Sequence, residues 1–170
     1  MPDVVTGADL AFVRGMLLHH AQALEMTELV PDRATREDIT LFAERIELSQ
    51  AEEIGVMQDW LRGRGEPVFE LGGIQAHEHP EQMSGMLTGE QMAELAGTSG
   101  ADFDLLFLQS MYRHHEGAIA MVDELSDAGG AQDPFIFELA KEIDNDQRIE
   151  MDRMVGMLAD LGATPPATDG

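Results

Sequence analysis

The segment MLLHHAQALEM, from Met16 to Met26, returns with an offset of 95 residues as MYRHHEGAIAM, from Met111 to Met121. One pattern, M-x-x-H-H-x-x-A-x-x-M, therefore holds four of the six histidines of the chain. The repeat begins upstream, where Asp9 and Phe12 match Asp104 and Phe107, and a second pair of segments continues it with an offset of 97. There Ala43, Ile46, Gln50, Glu53, Met57 and Leu61 match Ala140, Ile143, Gln147, Glu150, Met154 and Leu158. Self-similarity at this length restricts the fold to two copies of one supersecondary unit and pairs most residues of interest with a counterpart in the other half.

Periodicity identifies that unit. Phe12, Met16, His19, Ala23, Met26 and Val30 are spaced 4, 3, 4, 3 and 4 apart, the interval of a seam buried between packed helices. A helix is predicted over 8–30, ended by Pro31. Ile39, Ala43, Ile46, Gln50, Glu53, Met57 and Trp60 keep the rhythm in a second helix over 36–62, closed by Gly63 and Gly65. Phe107, Met111, His114, Ala118, Met121 and Leu125 mark a third, stopped by Gly129 and Gly130. Asp133 and Pro134 form an N-cap and first-turn pair for a fourth, whose seam runs from Ile136 to Leu161. Thr88 and Gln91 read as a capping box for a short helix to about residue 96. The expected fold is a single all-α domain, a four-helix bundle of two duplicated hairpins, 8–63 and 102–161. A long crossover at 64–101 contains the short helix, and a mobile tail occupies 162–170.

The seams are apolar except at His19, at Gln50 and Glu53, and at their counterparts His114, Gln147 and Glu150. A rise of about 1.5 Å per residue, counted from the turn, places His19 within about one turn of Gln50. A buried polar layer follows, with His19 facing Gln50, and His114 facing Gln147 and Glu150. A carboxylate buried without a partner costs several kcal/mol, so hydrogen bonds, water or a cation must fill this layer. His20 and His115 sit about 100° around the helix from their neighbours. One ring of each pair can enter the centre while the other reaches toward a neighbouring helix or the rim, where Met16 and Met111 stand one turn earlier.

Imidazole suits copper, zinc, iron and nickel, whereas thioether sulfur favours Cu(I). The candidate metal ligands are His19, His20, His114 and His115 with Met16, Met26, Met111 and Met121, and the candidate ion is copper, as Cu(I) or Cu(II). A second tier comprises Glu53 and Glu150 and the crossover cluster His77, His79, Met83 and Met86, which could fold over the bundle. The same residues admit a metal-free reading in which a His–Glu network fixes helix register and methionine fills the core.

Composition narrows the partners. With 33 acidic against 10 basic residues, the formal charge of −23 repels nucleic acid and anionic lipid while concentrating cations. The absence of cysteine excludes disulfides and thiolate ligation, leaving methionine as the soft ligand. No run of 18 apolar residues is present, so membrane insertion is not expected. No Ser is placed beside a His/Asp arrangement and no Gly-rich phosphate loop occurs, so no catalytic residue is assigned.

Over about residues 8–161 the chain resembles the bacterial family known as domain of unknown function 305. The resemblance rests on the doubled M-x-x-H-H-x-x-A-x-x-M, on Met83-x-Gly85-Met86 followed by Thr88, Gln91 and Met92, on Asp102-Phe103-Asp104, and on the I-x-x-x-Q-x-x-E helices. It implies a ferritin-like bundle and a secreted, periplasmic or lipid-anchored location, with the targeting segment absent from this chain. It also implies copper binding through His19, His20, His114, His115 and their motif methionines. The leading expectation is an extracytoplasmic protein that sequesters copper or hands it on, with affinity falling as pH drops through about 6.5. Two alternatives stand beside it: a structural or interaction bundle with a non-metal polar layer, and a di-iron carboxylate oxidase or storage protein using Glu53 and Glu150. The last lacks the usual Glu-x-x-His pairs.

Overall fold

The computed structural model describes residues 4–68 and 83–167. Among them every regular element is helical. Helix α1 spans Gly7–Glu28 and opens on a capping box: Asp9 N–H donates to Thr6 Oγ1 at 3.2 Å, and Thr6 N–H donates back to the Asp9 carboxylate at 2.7 Å. It ends two residues before the predicted Val30, because the Leu29 N–H turns back to the carbonyls of Met26 and Thr27. Pro31 therefore does not terminate α1. It sits in the first turn of a short helix α2, Val30–Arg33, where its missing donor costs nothing.

Helix α3 spans Glu37–Gly63 and is followed by Gly65 at φ +69°, a left-handed conformation that glycine adopts without a Cβ clash. Helix α4 spans Gly89–Gly97 behind the Thr88–Gln91 capping box, and α5 spans Gly100–Asp127. Asp133 opens α6, Pro134–Asp160, by accepting from the backbone N–H groups of Phe135 and Ile136. Helix α1 packs along both α3 and α5, α5 packs along α6, and α3 meets α6 over a smaller area.

Two buried aspartates tie each half to the other. Besides capping its own helix, Asp9 accepts from Ala131 N–H at 2.7 Å, in the turn between α5 and α6. Its repeat counterpart Asp104 accepts from the N–H of Thr35 at 3.1 Å and from the Thr35 hydroxyl, just before α3. Each first helix thus closes the other half's inter-helix turn with a charge-assisted bond.

The apolar interior is divided. One cluster gathers Ala23, Met26, Ile39, Ile46, Phe103, Phe107, Met111 and Met154. The other gathers Phe12, Met16, Ile54, Met57, Leu61, Ala118, Leu125, Ile136 and Ile143. Burial of side chains of this size contributes about 1.5–3 kcal/mol each. Between the clusters in sequence, on all four long helices, lie His19, His20, Gln50, Glu53, His114, His115, Gln147 and Glu150, every one buried.

Candidate metal centre

At the α1–α5 contact the His19 and His114 rings lie against each other in a tilted pair, with centroids 3.7 Å apart and planes inclined by 35°. The seam histidines thus meet each other, and Glu150, expected opposite His114, bonds to His115 instead. The carboxylates go to the second histidine of each pair: His20 Nε2 donates to Glu53, and His115 Nε2 donates to Glu150. The reason is angular. The residue after the seam position is rotated about 100°, which turns His20 toward α3 and His115 toward α6.

Proton placement follows from these partners. His19 Nε2 donates to the Ser84 carbonyl at 3.2 Å, so its Nδ1 carries the lone pair when the ring is neutral. In neutral His20 and His115 the same logic leaves the lone pair on Nδ1, and both Nδ1 atoms are buried without a hydrogen-bond partner. Neither ring nitrogen of His114 has a partner. An orphaned buried polar atom costs about 1–3 kcal/mol. Imidazoles whose N–H is fixed by a carboxylate or carbonyl, with the other nitrogen bare, have the arrangement of metal-binding histidines.

Burial holds the central pair neutral. The His19 pKa is lowered to about 3, first by desolvation and then by the nearby His20 and His115 rings. His114 is likewise lowered well below the usual histidine value by desolvation, then by His19, His115 and His20. On the outer side, Ser49 Oγ donates to Asp146 at 3.5 Å across α3 and α6. Burial, and then Glu53 and Glu150, raise the Asp146 pKa, which brings the carboxylates of both halves into one electrostatic neighbourhood.

The methionines separate into two groups. Met16, Met26 and Met111 are wholly buried among apolar side chains. Met121 is only half-buried, and its methyl approaches a point beside Gly15 that the Met83 sulfur also approaches: a Cβ on Gly15 would stand 3.2 Å from Met121 Cε and 3.7 Å from Met83 Sδ. Gly15 lies one turn from His19, and Met121 two turns from His114, on the same helix faces. Met83 and Met121 therefore meet beside Gly15, one turn along α1 from His19. Met86 is half-buried and lines an open groove of about 950 Å³ on the outer side of this segment. His77 and His79 lie outside the described residues.

Sequence reasoning did not single out Gln22, Ser84 or Gly117. Gln22 is buried and grips Leu87 at both backbone groups, its Nε2 donating to the Leu87 carbonyl and its Oε1 accepting from the Leu87 N–H, each at 2.8 Å. Gly117 lets the Ser84–Gly85 backbone lie directly on α5: a Cβ there would collide with the Ser84 carbonyl and stand 2.8 Å from Gly85 Cα. The available signal was departure from the repeat, since Gln22 and Gly117 occupy equivalent positions, as do Gly15 and Ser110.

Residues 9–165 match the family described as Domain of unknown function (DUF305). A DUF305 protein of Streptomyces coelicolor, presumed secreted by its description, is 30% identical with a TM-score of 0.80, covering 94% of this chain and 97% of its own. A DUF305 fragment from Deinococcus radiodurans is 32% identical with a TM-score of 0.80, covering 94% of this chain and 99% of its own. CopM in its Cu(II)-bound form is 25% identical with a TM-score of 0.72, covering 89% of this chain and 96% of its own. Comparison with curated proteins finds no match.

Proposed function

This chain belongs to the family described as Domain of unknown function (DUF305), and from that premise we propose that it is an extracytoplasmic copper-binding protein that sequesters the ion or hands it on. In this reading it is a ferritin-like four-helix bundle, built from two duplicated hairpins that form a single domain. The reciprocal Asp9–Ala131 and Asp104–Thr35 bonds support the duplication. The ion is cargo, and no catalytic residue is assigned.

One observation carries the copper reading: buried imidazole nitrogens at His20, His114 and His115 lack partners, while carboxylates fix the other nitrogen of His20 and of His115. Such bare nitrogens are ready donors. Met83 and Met121 bring thioethers to Gly15, one turn from His19, and sulfur with imidazole is the donor set that favours Cu(I) over hard ions. His19, His114, Met83 and Met121 are the proposed primary ligands, with His20 and His115 oriented by Glu53 and Glu150 as further donors. Met16, Met26 and Met111 serve packing. CopM, solved with Cu(II) bound, supports copper handling by this fold. The extracytoplasmic assignment draws on the presumed secretion of the Streptomyces relative. No helix among the described residues is long and apolar enough to cross a membrane.

Anaerobic Cu(I) titration against a competing chelator tests the proposal. The wild type is expected to take up the ion, and a folded variant with His19, His20, His114 and His115 all replaced by Ala is expected to lose that uptake. Equal uptake by the two would overturn it. A second reading, a metal-free layer that sets helix register, is favoured by the bonds from His20 to Glu53 and from His115 to Glu150. It requires the melting temperature to be indifferent to copper, whereas an ion bound only by the folded state raises it.

A further inference from the structure

The repeat makes the two halves alike, but the crossover exists once, so wherever it touches the helices the halves must differ. Two such differences lie within reach of the histidine pair. Gln22, equivalent to Gly117 in the other half, binds both backbone groups of Leu87. Gly117, lacking a side chain, admits Ser84 and Gly85 onto the backbone of α5. Gly85 itself has φ +76°, and a Cβ there would stand 2.9 Å from Gly117 Cα. Two glycines therefore face each other in a contact that no larger residue permits.

Residues 83–87 form a strap over the site. Ser84 accepts from His19, Met83 lies beside Gly15 and Met121, and the groove of about 950 Å³ runs along the far side, lined by Ser84, Gly85, Met86 and Leu87. Resting on the copper reading above, we propose that this strap is the retention element of the ion site and that Gln22 is the positioning residue that holds it shut. In the seated strap the Ser84 carbonyl is bonded to His19 and the Met83 thioether stands beside Gly15, one turn away. Its release withdraws a sulfur donor, frees the His19 Nε2–H, and opens the pair toward the groove. Gln22 touches no ion. It acts on exchange rate through the strap and leaves the imidazole donors in place.

The test measures transfer of Cu(I) from the loaded protein to excess chelator by anaerobic stopped-flow, for the wild type, Gln22→Leu and Gly117→Ala. Gln22→Leu loses two buried hydrogen bonds to Leu87, which shifts the strap's opening equilibrium by about tenfold or more, and Gly117→Ala drives a Cβ into the Ser84 carbonyl, so both variants are expected to release Cu(I) at least about tenfold faster at unchanged stoichiometry. Gln22→Glu, which keeps the acceptor for Leu87 N–H, is expected to fall between them and the wild type. Release at the wild-type rate from folded Gln22→Leu would overturn the proposal. Should neither variant fold, hydrogen exchange in the wild type decides: the Leu87 amide is expected to exchange at least about tenfold more slowly in the Cu(I)-loaded protein, and equal exchange would overturn the strap's role. Absence of Cu(I) uptake by the wild type overturns the copper reading itself, and this inference with it.

Discussion

Acid should destabilise the metal-free protein through the two buried central imidazoles. In the unfolded chain His19 takes a proton near pH 6.5, whereas in the fold it does so only near 3. Between these values the unfolded state holds the extra proton, so the contribution is fully present above about pH 6.5 and is lost as pH falls toward about 3. Integrated from pH 6 to pH 4, the loss for His19 alone is about 2–3 kcal/mol, and His114 adds to it in the same direction. That is a large part of the 5–15 kcal/mol typical of a domain. Urea unfolding with a chelator present, at pH 6, 5 and 4, should show the wild type losing at least about 2 kcal/mol more than His19→Gln over that interval. If the two lose stability in parallel, His19 is not held neutral by burial and the desolvation argument fails.

The same neutrality bears on copper. Because the central pair stays unprotonated well below pH 6.5, proton competition at His19 is expected to be weak, and Cu(I) affinity measured by chelator competition should change less than about threefold between pH 7 and pH 5. This replaces the expectation, drawn from an ordinary histidine, of weakening through 6.5. Met83→Leu and Met121→Leu are each expected to weaken Cu(I) binding by about tenfold in the same assay, whereas Met16→Leu should leave it within about threefold, since Met16 packs among apolar side chains. Asp104→Ala removes both acceptors for Thr35 and should cost about 1–3 kcal/mol in denaturant unfolding, as should Asp9→Ala through Ala131. Glu53→Leu leaves His20 Nε2 buried without its acceptor, and should lower stability by about 1–3 kcal/mol with or without metal.

Much of this was legible in the chain because helical packing writes itself as spacing. The 4, 3 rhythm located the four long helices to within a few residues, the Asp133 and Thr88 caps marked two starts, and the interruptions at His19, Gln50 and Glu53 marked a buried polar layer. The boundary at Pro31 was misread because a proline that cannot continue one helix can open the next. The Met16, Met26, Met111 and Met121 positions looked equivalent in the pattern, yet three are wholly buried in the apolar clusters while Met121 is half-buried at the edge of one, its methyl beside Gly15. Equal spacing fixes a helix face. It does not fix what stands opposite.

Sequence alone determined the repeated residue pattern, the helical class, the four motif histidines and the acidic charge, since periodicity, self-similarity and composition are properties of the chain before it folds. Tertiary structure decided that His19 meets His114 while His20 and His115 take the carboxylates, that Met83 arrives beside Met121, and that Gln22 bonds to the backbone of Leu87. Those outcomes depend on contacts between elements far apart in sequence, set by helix rotation and by the path of a crossover present in only one copy, and local spacing records neither.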